Sequence, residues 1–561
     1  MRTVNIPFFI VIFAYLFLSG CSTMPKNGPL ATRFYDSMQG DLAWSNSSWP
    51  LPRANSLVEK VMEAEEIGLR FSYYNLDEVR AILTEANARK ETGGRPVSRR
   101  KLLKLDRLLT KLFLIYGGNL LYGHIDPLNL EGEGGTAPEE IDLVQTLQNA
   151  VGTDLIPESL DWLQPRHPGY SGLKSVLKYY REISDRGGWP QVPFGTDLKR
   201  SDRGPRVLAL KARLLVTGDL ETNSTDDLFD NPVEEAVRRF QARHGLEVTG
   251  EVDALTLSDL NMPVEARIRQ IRVNLERWRW LARDFGTRYL MIDIAGFRLA
   301  VVERGREILE MPIIVGQPSW KTPTFSGTMT YLVLNPVWRI PREIVIEEFV
   351  PKILENPDYL SDMRVRILRG PEEIDPASIE WESLEEDMDF WLVQESCAEN
   401  PLGRIKFMFP NDFEVYLHDT PQQELFSASF RAFSHGCVRI QKPFELMDYL
   451  LENPNQCPDK PVGIDRQTEI PEELSALLDR ARQDPCFTVE EYLERDCLNW
   501  THLSVLAALQ TGLEQYLVLP EPIQVHLTYL TAWVDSGGTI HFRTDLYGYD
   551  RAIDQALNQG S

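Results

Sequence analysis

The spacing of apolar positions divides the chain into stretches with different periods. From about residue 31 to residue 187 apolar side chains recur three and four apart, as in Leu102, Leu103, Leu105, Leu108, Leu109, Leu112 and Phe113, and predict a packed helical domain. Within it, the segment Leu121 to Pro127 holds a lone His124 and an Asp126 between Gly123 and Pro127; these flanks predict a turn rather than a metal site. A Pro/Gly-rich stretch from Gly187 to Gly195 reads as a domain linker. Helical spacing returns in Arg206 to Leu214 and in Ala236 to Gln241. Pro263 then opens a longer amphipathic helix, whose stripe of Ile268, Ile271, Leu275, Trp278 and Leu281 is expected to dock on the next domain.

After Gly286 the period falls to two. Tyr289 to Ile294, Arg298 to Val302, Met311 to Gly316, Tyr331 to Asn335 and Phe413 to His418 are rich in β-branched and aromatic residues and predict a β-rich domain. Between residues 341 and 400 the alternation breaks. That insert is acidic (Glu372, Glu373, Asp375, Glu380, Glu382, Glu385, Glu386, Asp387), and its apolar anchors Trp381, Phe390 and Trp391 predict an ordered lobe over a neighbouring cleft instead of a disordered loop. The expected architecture is multidomain: a helical domain over 21–190, a small α-helical module over 198–262 and a connecting helix over 263–286. A β-rich domain over 287–470 carries the capping insert 341–400, and residues 471–561 form a helical segment with strands that return to it.

The chain of 561 residues is too long for one hydrophobic core. A net charge of −24, with a pI near 4.9 and no basic arm, argues against a nucleic-acid partner. Near the start, Arg2 precedes an apolar run from Ile6 to Leu18 that is shorter than the roughly 20 residues a spanning helix needs, which reads as an export signal. Leu18-Ser19-Gly20-Cys21 resembles the lipobox of bacterial lipoproteins. That resemblance implies removal of residues 1–20 and lipidation of Cys21. With Ser22 next, it also implies sorting to the outer membrane of a Gram-negative cell, so the chain would be periplasmic and anchored stably by two acyl chains. An ordinary signal peptide with a stray cysteine is the plainer alternative. Cys397, Cys457, Cys486 and Cys497 permit three disulfide pairings, or none.

The segment with the most chemistry is Ser434-His435-Gly436-Cys437-Val438-Arg439-Ile440, preceded by Tyr416-Leu417-His418-Asp419-Thr420-Pro421. A thiol is a useful nucleophile only as thiolate and needs a base or cation beside it. In a strand over Phe413–His418, Phe413, Val415 and Leu417 would face the core, while Tyr416 and His418 would share the other side and Asp419 would point away. His435, two residues before Cys437, is a rival base. Gly436 allows a strained turn, and the amides of Gly436 and Cys437 are candidate oxyanion donors. Arg439 has the planar fork to hold a carboxylate, with a surface ion pair as its plain alternative; Ser434 and Tyr416 would shape the pocket. His418, His435 and Cys437 could also be three zinc ligands, but ligands at i and i+2 with no further Cys or carboxylate suit a catalytic dyad better. A serine nucleophile is disfavoured, because neither Ser-x-x-Lys nor Gly-x-Ser-x-Gly occurs near these motifs.

A histidine followed at a distance by Ser/Thr-His-Gly-Cys resembles the signature of the L,D-transpeptidases. The Val-Arg ending is similar to the large branch of that family, which carries a scaffold domain and a binding module. The likeness runs through most of the chain, including Leu530-Thr531-Ala532-Trp533 and Arg543-Thr544-Asp545. Arg206 to Leu214, Ala236-Val237-Arg238-Arg239-Phe240-Gln241, Gly245-Leu246 and Thr249-Gly250 resemble a small peptidoglycan-binding module, with Asp230-Asn231-Pro232 in place of its usual Asp-Gly-x-x-Gly turn. A helical spacer is the plain reading of that stretch. The family resemblance implies Cys437 as nucleophile, His418 as acid/base with its ring held by a backbone carbonyl, and His435 as structural or substrate-facing. It implies attack on the diamino acid at position three of a tetrapeptide stem, release of D-alanine and a 3→3 cross-link. No metal or cofactor would be required, and carbapenems would acylate the same thiol. Water or a protein amine as acceptor, giving an L,D-carboxypeptidase or a lipoprotein-attaching enzyme, and a non-catalytic wall-binding scaffold are the alternatives.

Overall fold

A computed structural model of the chain describes residues 28–38, 41–127, 130, 141–222, 225–384, 388–451 and 502–559. The export signal, Cys21, Cys457, Cys486 and Cys497 lie outside the described residues; Cys397 and Cys437 are free thiols. No helix among the described residues is long and apolar enough to cross a membrane. The chain forms two compact units. Among the described residues, the first comprises those within 28–62, 74–120 and 141–163, and the second those within 63–73, 121–130 and 164–559. The helical run expected as one domain over 21–190 is therefore shared between two units.

The first unit is helical, with helices Pro52–Met62, Asp77–Glu91, Leu143–Thr153 and Ile156–Leu163 and most of Arg99–Tyr122. Leu102, Leu105, Leu109 and Phe113 are buried at the predicted spacing. One buried polar knot interrupts this stripe: Asp106 accepts from the Trp44 amide at 2.8 Å and from the Tyr35 hydroxyl at 2.5 Å, while Thr110 accepts from the Trp44 indole at 2.9 Å.

In the second unit, helix Pro168–Asp185 packs on helix Val264–Trp280. The latter does not present the single apolar stripe its sequence suggests. Arg272, Asn274, Glu276, Arg277 and Arg279 are buried along with Ile271, Leu275 and Trp278. Each buried charge in the last turns has a partner, as burial requires. Glu276 accepts from the amides of His124 and Ile125 and pairs with Arg279, Arg277 pairs with Asp550, and Asn274 bonds Thr531. The 121–127 segment is thus a turn tied to this helix, and the His124 ring stacks on Tyr73.

The 187–195 stretch is equally fixed. Trp189 is buried against the Arg213 guanidinium and donates to the Met262 carbonyl, and Val192 exchanges two bonds with Asn261. It joins the small module of helices Pro205–Val216, Asn231–His244 and Ala254–Leu260. In that module Asp230 caps the second helix. Gln241 of the Phe-Gln pair is buried, bonding Thr249, Gly250, Glu251 and Thr256, so it fastens the following loop. Arg543 reaches the Arg243 carbonyl at 3.0 Å, and the Arg267 guanidinium covers the Phe542 ring.

The β-rich part contains β1 (Arg288–Asp293), β2 (Arg298–Glu303), β3 (Arg306–Gly316) and β4 (Phe325–Leu334). The insert adds β5 (Trp338–Arg339), β6 (Val365–Arg369), β7 (Glu372–Glu373) and β8 (Trp391–Gln394). After it come β9 (Ile405–Met408), β10 (Leu417–His418), β11 (Ala432–Ser434) and β12 (Val438–Ile440). Last are β13 (Gln515–Thr528), β14 (Ala532–Val534) and β15 (Ile540–Phe542). Nine strands form one mixed sheet in the order β11-β3-β12-β10-β9-β4-β13-β1-β2. β3 also pairs with β2, so the sheet closes on itself around a core that includes Leu332, Phe407, Leu417, Val438 and Val525. The returning C-terminal strand β13 lies inside the sheet, parallel to β1 and antiparallel to β4.

The insert is an ordered lobe with its own sheet, β5-β8-β6-β7, and its own apolar cluster. Phe390 belongs to that cluster and Trp381 packs against it, but Trp391 does not anchor it. The two-residue period turns Leu392 inward and leaves Trp391 44% exposed, beneath the Arg342 guanidinium.

Several buried or half-buried imidazoles make stability pH-dependent, His167 and His526 among them. His167 caps helix Pro168–Asp185 by accepting from the Gly169 amide and stacks on Trp278, and His526 bonds the Ser326 hydroxyl. Burial pushes both down to about 4. The unfolded chain, with histidines near their ordinary value of about 6.5, binds more protons between those limits, so stability present above pH 6.5 is lost as pH falls toward 4. Asp293, pushed up to about 6 by burial, acts in the opposite sense and is outweighed. The melting temperature should fall steadily from pH 7 to pH 4.5, and His167→Asn, which keeps a capping acceptor, should flatten the slope of stability by up to roughly 1.4 kcal/mol per pH unit, the limit for one proton. An unchanged slope in that variant would contradict the assignment.

Candidate functional site

The site is built on β9, β10 and β12. Leu417 pairs with Phe407 on one side and Val438 on the other, and all three side chains are buried in the closed core. By strand alternation the next row faces the opposite way. There Lys406 lies opposite His418, and His418 lies opposite Arg439. Cys437 comes one residue before β12, and the bond from the Val438 amide to the Tyr416 carbonyl at 3.1 Å sets it beside Tyr416. Tyr416 and Cys437 therefore stand one two-residue repeat, about 7 Å, along the strands from His418 and Arg439.

The strand expected over Phe413–His418 is shorter. Only Leu417 and His418 are paired as strand; Asn411 takes up the amides of Phe413 and Val415 and donates to the carbonyls of Phe409 and Val415. Glu414 adopts φ +56° within this turn, and Phe413 is left outside the core against Phe325. Val415 and Leu417 still face the core, and Tyr416 and His418 share the other face with ring centroids 5.7 Å apart.

His418 is buried, and its Nδ1–H donates to the Asp419 carbonyl at 2.6 Å, which leaves the lone pair on Nε2. Burial first, then the neighbouring Arg439 and Lys406 charges, push the imidazole down to about 3, against the opposing pull of the Asp419 and Pro401 carbonyls. The Asp419 carboxylate turns away, accepting from the amides of Arg404 and Thr420. The Cys437 thiol is half-buried and bonds Tyr416 and, at 3.8 Å, the Glu414 carbonyl. Burial pushes this thiol up, while Tyr416, Lys406 and Arg439 pull it down. Among the described residues no hydrogen bond joins the sulfur to the His418 ring, as is common before substrate binds.

The motif residues around the thiol have separate duties. Ser434 donates to the Cys437 carbonyl at 2.5 Å and accepts from the Gly436 amide at 3.2 Å, so it closes the turn and does not line an open pocket. The same bond occupies the Gly436 amide, which corrects its reading as a free oxyanion donor. Gly436 has φ +109°, and its carbonyl accepts from Thr322 at 2.7 Å. Thr322 is in turn braced by the Gly316 amide and by Tyr547 from the C-terminal segment. His435 is turned onto the insert: Nε2 meets Glu348 at 2.8 Å, and the ring stands edge-on to Trp320 at 5.2 Å. His418, His435 and Cys437, weighed above as a zinc set, thus face different partners. Arg439 donates to Gln422 at 2.8 Å, and its Nε is buried with no hydrogen-bond partner, so the surface ion pair that was its plain alternative is not its arrangement.

Lys406, Glu348 and Thr322 were not singled out from the sequence. Lys406 alone left a trace there, as a cation between the apolar Ile405 and Phe407 in a strand; the other two come near the motif only through folding.

A closed sheet carrying a thiol, a neutral imidazole and a cationic row defines a site suited to acyl transfer. Residues 287–464 match the family model for the L,D-transpeptidase catalytic domain (YkuD), residues 29–177 match the scaffold domain, and residues 203–260 match the "Putative peptidoglycan binding domain". The chain thus carries an L,D-transpeptidase catalytic domain together with a scaffold domain and a module of the peptidoglycan-binding type. It is 28% identical over 294 residues to a "Putative L,D-transpeptidase" of Haemophilus influenzae, covering 52% of this chain and 50% of that protein. The chain spans about half the length of this curated relative. Solved structures with a likeness include an L,D-transpeptidase from Mycobacterium smegmatis (19% identity, 29% of this chain and 53% of that one, TM-score 0.17). Another is the L,D-transpeptidase, residues 123–326, from Xylanimonas cellulosilytica DSM 15894 (18% identity, 48% and 96%, TM-score 0.16). The assignment of the domain rests on the family models and on the fold and motifs described above.

A Cβ at Gly436 would be strained at φ +109° whatever the space around it. Gly436→Ala should cost about 1–3 kcal/mol in thermal or denaturant unfolding. It should also slow alkylation of Cys437 by displacing the turn. A variant as stable and as reactive as the parent would show that the turn does not need glycine.

Proposed function

We propose that the protein is an L,D-transpeptidase that forms 3→3 cross-links in peptidoglycan through a thioester on Cys437. The observation that carries this reading is the half-buried Cys437 thiol beside the Tyr416 hydroxyl, on the sheet face that also bears the neutral His418 imidazole. In the first half-reaction Sγ bonds to the carbonyl carbon of the diamino acid at position three of a tetrapeptide stem. The peptide bond to D-alanine breaks, and the leaving amine takes up the proton that the thiol has given up. In the second, the side-chain amine of another stem attacks the thioester, an amide forms, and the S–C bond breaks. His418 Nε2, which carries a lone pair, accepts the proton that this amine gives up. The Cys437 amide and the Tyr416 hydroxyl would stabilise the oxyanion, and the Arg439 guanidinium, with its unpartnered Nε, would hold a stem carboxylate. No cofactor enters either step. Carbapenems are expected to acylate Cys437, and the small module would hold the glycan. A lipidated Cys21 would keep the enzyme in the periplasm at the outer membrane.

The test is incubation of the purified chain with tetrapeptide muropeptides, followed by mass analysis. The parent should release D-alanine and yield 3→3 dimers, and Cys437→Ala should lose at least about a thousandfold, as removal of a covalent nucleophile does. Retained cross-linking by Cys437→Ala would overturn the proposal. Tripeptide monomers without dimers would instead identify water as the acceptor.

A further inference from the structure

The Cys437 thiol is engaged on the tyrosine side of the site, where its S–H donates to the Glu414 carbonyl at 3.8 Å and the Tyr416 side chain stands beside it. The His418 ring is committed to the Asp419 carbonyl. Lys406 stands directly over Tyr416, with Nζ 3.7 Å from the ring centroid, the closest cation-to-ring approach found among the described residues. A cation on the face of a phenol draws electron density from the ring and makes its hydroxyl a stronger donor, most so where water is excluded. Lys406 is half-buried, and the strand register fixes it between Val333 and His418. Burial disfavours its charge, whereas a charged Cys437 favours it, so ammonium and thiolate support each other.

We propose that Lys406 is a positioning residue for the reacting thiol: it holds the Tyr416 ring in place and, through that ring's hydroxyl, stabilises the Cys437 thiolate. The bland alternative is a lysine stem that merely packs on an aromatic ring. The proposal rests on Cys437 being the reacting group of the function proposed above, but its test needs only the thiol. Ionisation releases the thiol proton to solvent; iodoacetamide then forms the S–C bond as iodide leaves, so the rate reports the thiolate fraction.

The experiment measures alkylation of Cys437 in the full chain from pH 6 to pH 10, read by mass spectrometry on the tryptic peptide of residues 432–439. Lys406→Met should react about tenfold more slowly at pH 7, with the midpoint raised by about one pH unit. Lys406→Arg, which keeps the cation, should recover the parental profile. Tyr416→Phe should raise the midpoint as well, and adding Lys406→Met to it should shift the midpoint by clearly less than Lys406→Met does alone, because only the direct charge effect is left to lose. Three results overturn the proposal. One is a parental midpoint in Lys406→Met. Another is a full additional shift in the double variant, which would mean that Lys406 acts without Tyr416. The last is a midpoint that follows melting temperature instead of charge across Met, Gln and Arg variants. Failure of the transpeptidase reading would appear in muropeptide turnover and would leave this profile untouched.

Discussion

The site depends on strand register. A one-residue slip of β10 against β9 and β12 would turn Leu417 out of the core and His418 into it, because successive side chains face opposite sides. The core prevents this. Phe407, Leu417 and Val438 are completely buried on one face, and each brings with it a polar neighbour on the other: Lys406, His418 and, one residue after Val438, Arg439. Burying those three apolar side chains is worth several kcal/mol at about 1.5–3 kcal/mol each, which favours this register over a slipped one. The geometry of the chemistry is therefore a by-product of packing, and the polar residues need only be spelled into alternate positions.

Elements distant in sequence complete the frame. β13, more than 70 residues after the thiol, lies between β1 and β4, and Tyr547 farther on braces the Thr322–Gly436 contact under the motif turn. Helix Val264–Trp280 connects these parts through buried charges, among them the Arg277–Asp550 and Glu276–Arg279 pairs, and removing one partner of such a pair is costly because the other stays buried. The insert reaches the same turn from the opposite side through Glu348 and His435. An exposed contact of this kind is weak by itself, so it restrains the lobe without locking it.

Periodicity made most of the architecture legible. The helical stripe of Leu102 to Phe113, the change of period after Gly286 and the Tyr416/His418 pairing follow from side-chain geometry that any strand or helix obeys. What escaped the sequence was nonlocal. The buried charges of helix Val264–Trp280 look like a solvated face until their partners are known, the 187–195 stretch looks like a linker until Trp189 meets Arg213, and Trp391 looks like an anchor until Leu392 takes the inward place. At the site, Gly436 was readable as a special backbone position from its lack of a Cβ. That its amide is taken by Ser434 was not, since that bond depends on how the turn closes.

Electrostatics give the two reactive groups different tasks. In a thiolate–imidazolium pair the histidine would carry the proton taken from sulfur, but here Arg439 and Lys406 flank the imidazole and oppose that charge, while the same two cations favour charge on the sulfur. Burial nonetheless holds the thiol above its ordinary range, so the resting site keeps a proton on sulfur and a lone pair on His418, and the two cations lessen the cost of a later sulfur anion. Such a division suits a two-step acyl transfer. In the reaction proposed above, the first step would need a sulfur anion, and the second would need an acceptor for the proton of an incoming amine, once a thioester had removed the anionic sulfur and changed the local field. On that proposal His418 would act only when an acceptor amine arrives, beside a backbone carbonyl that already fixes its tautomer.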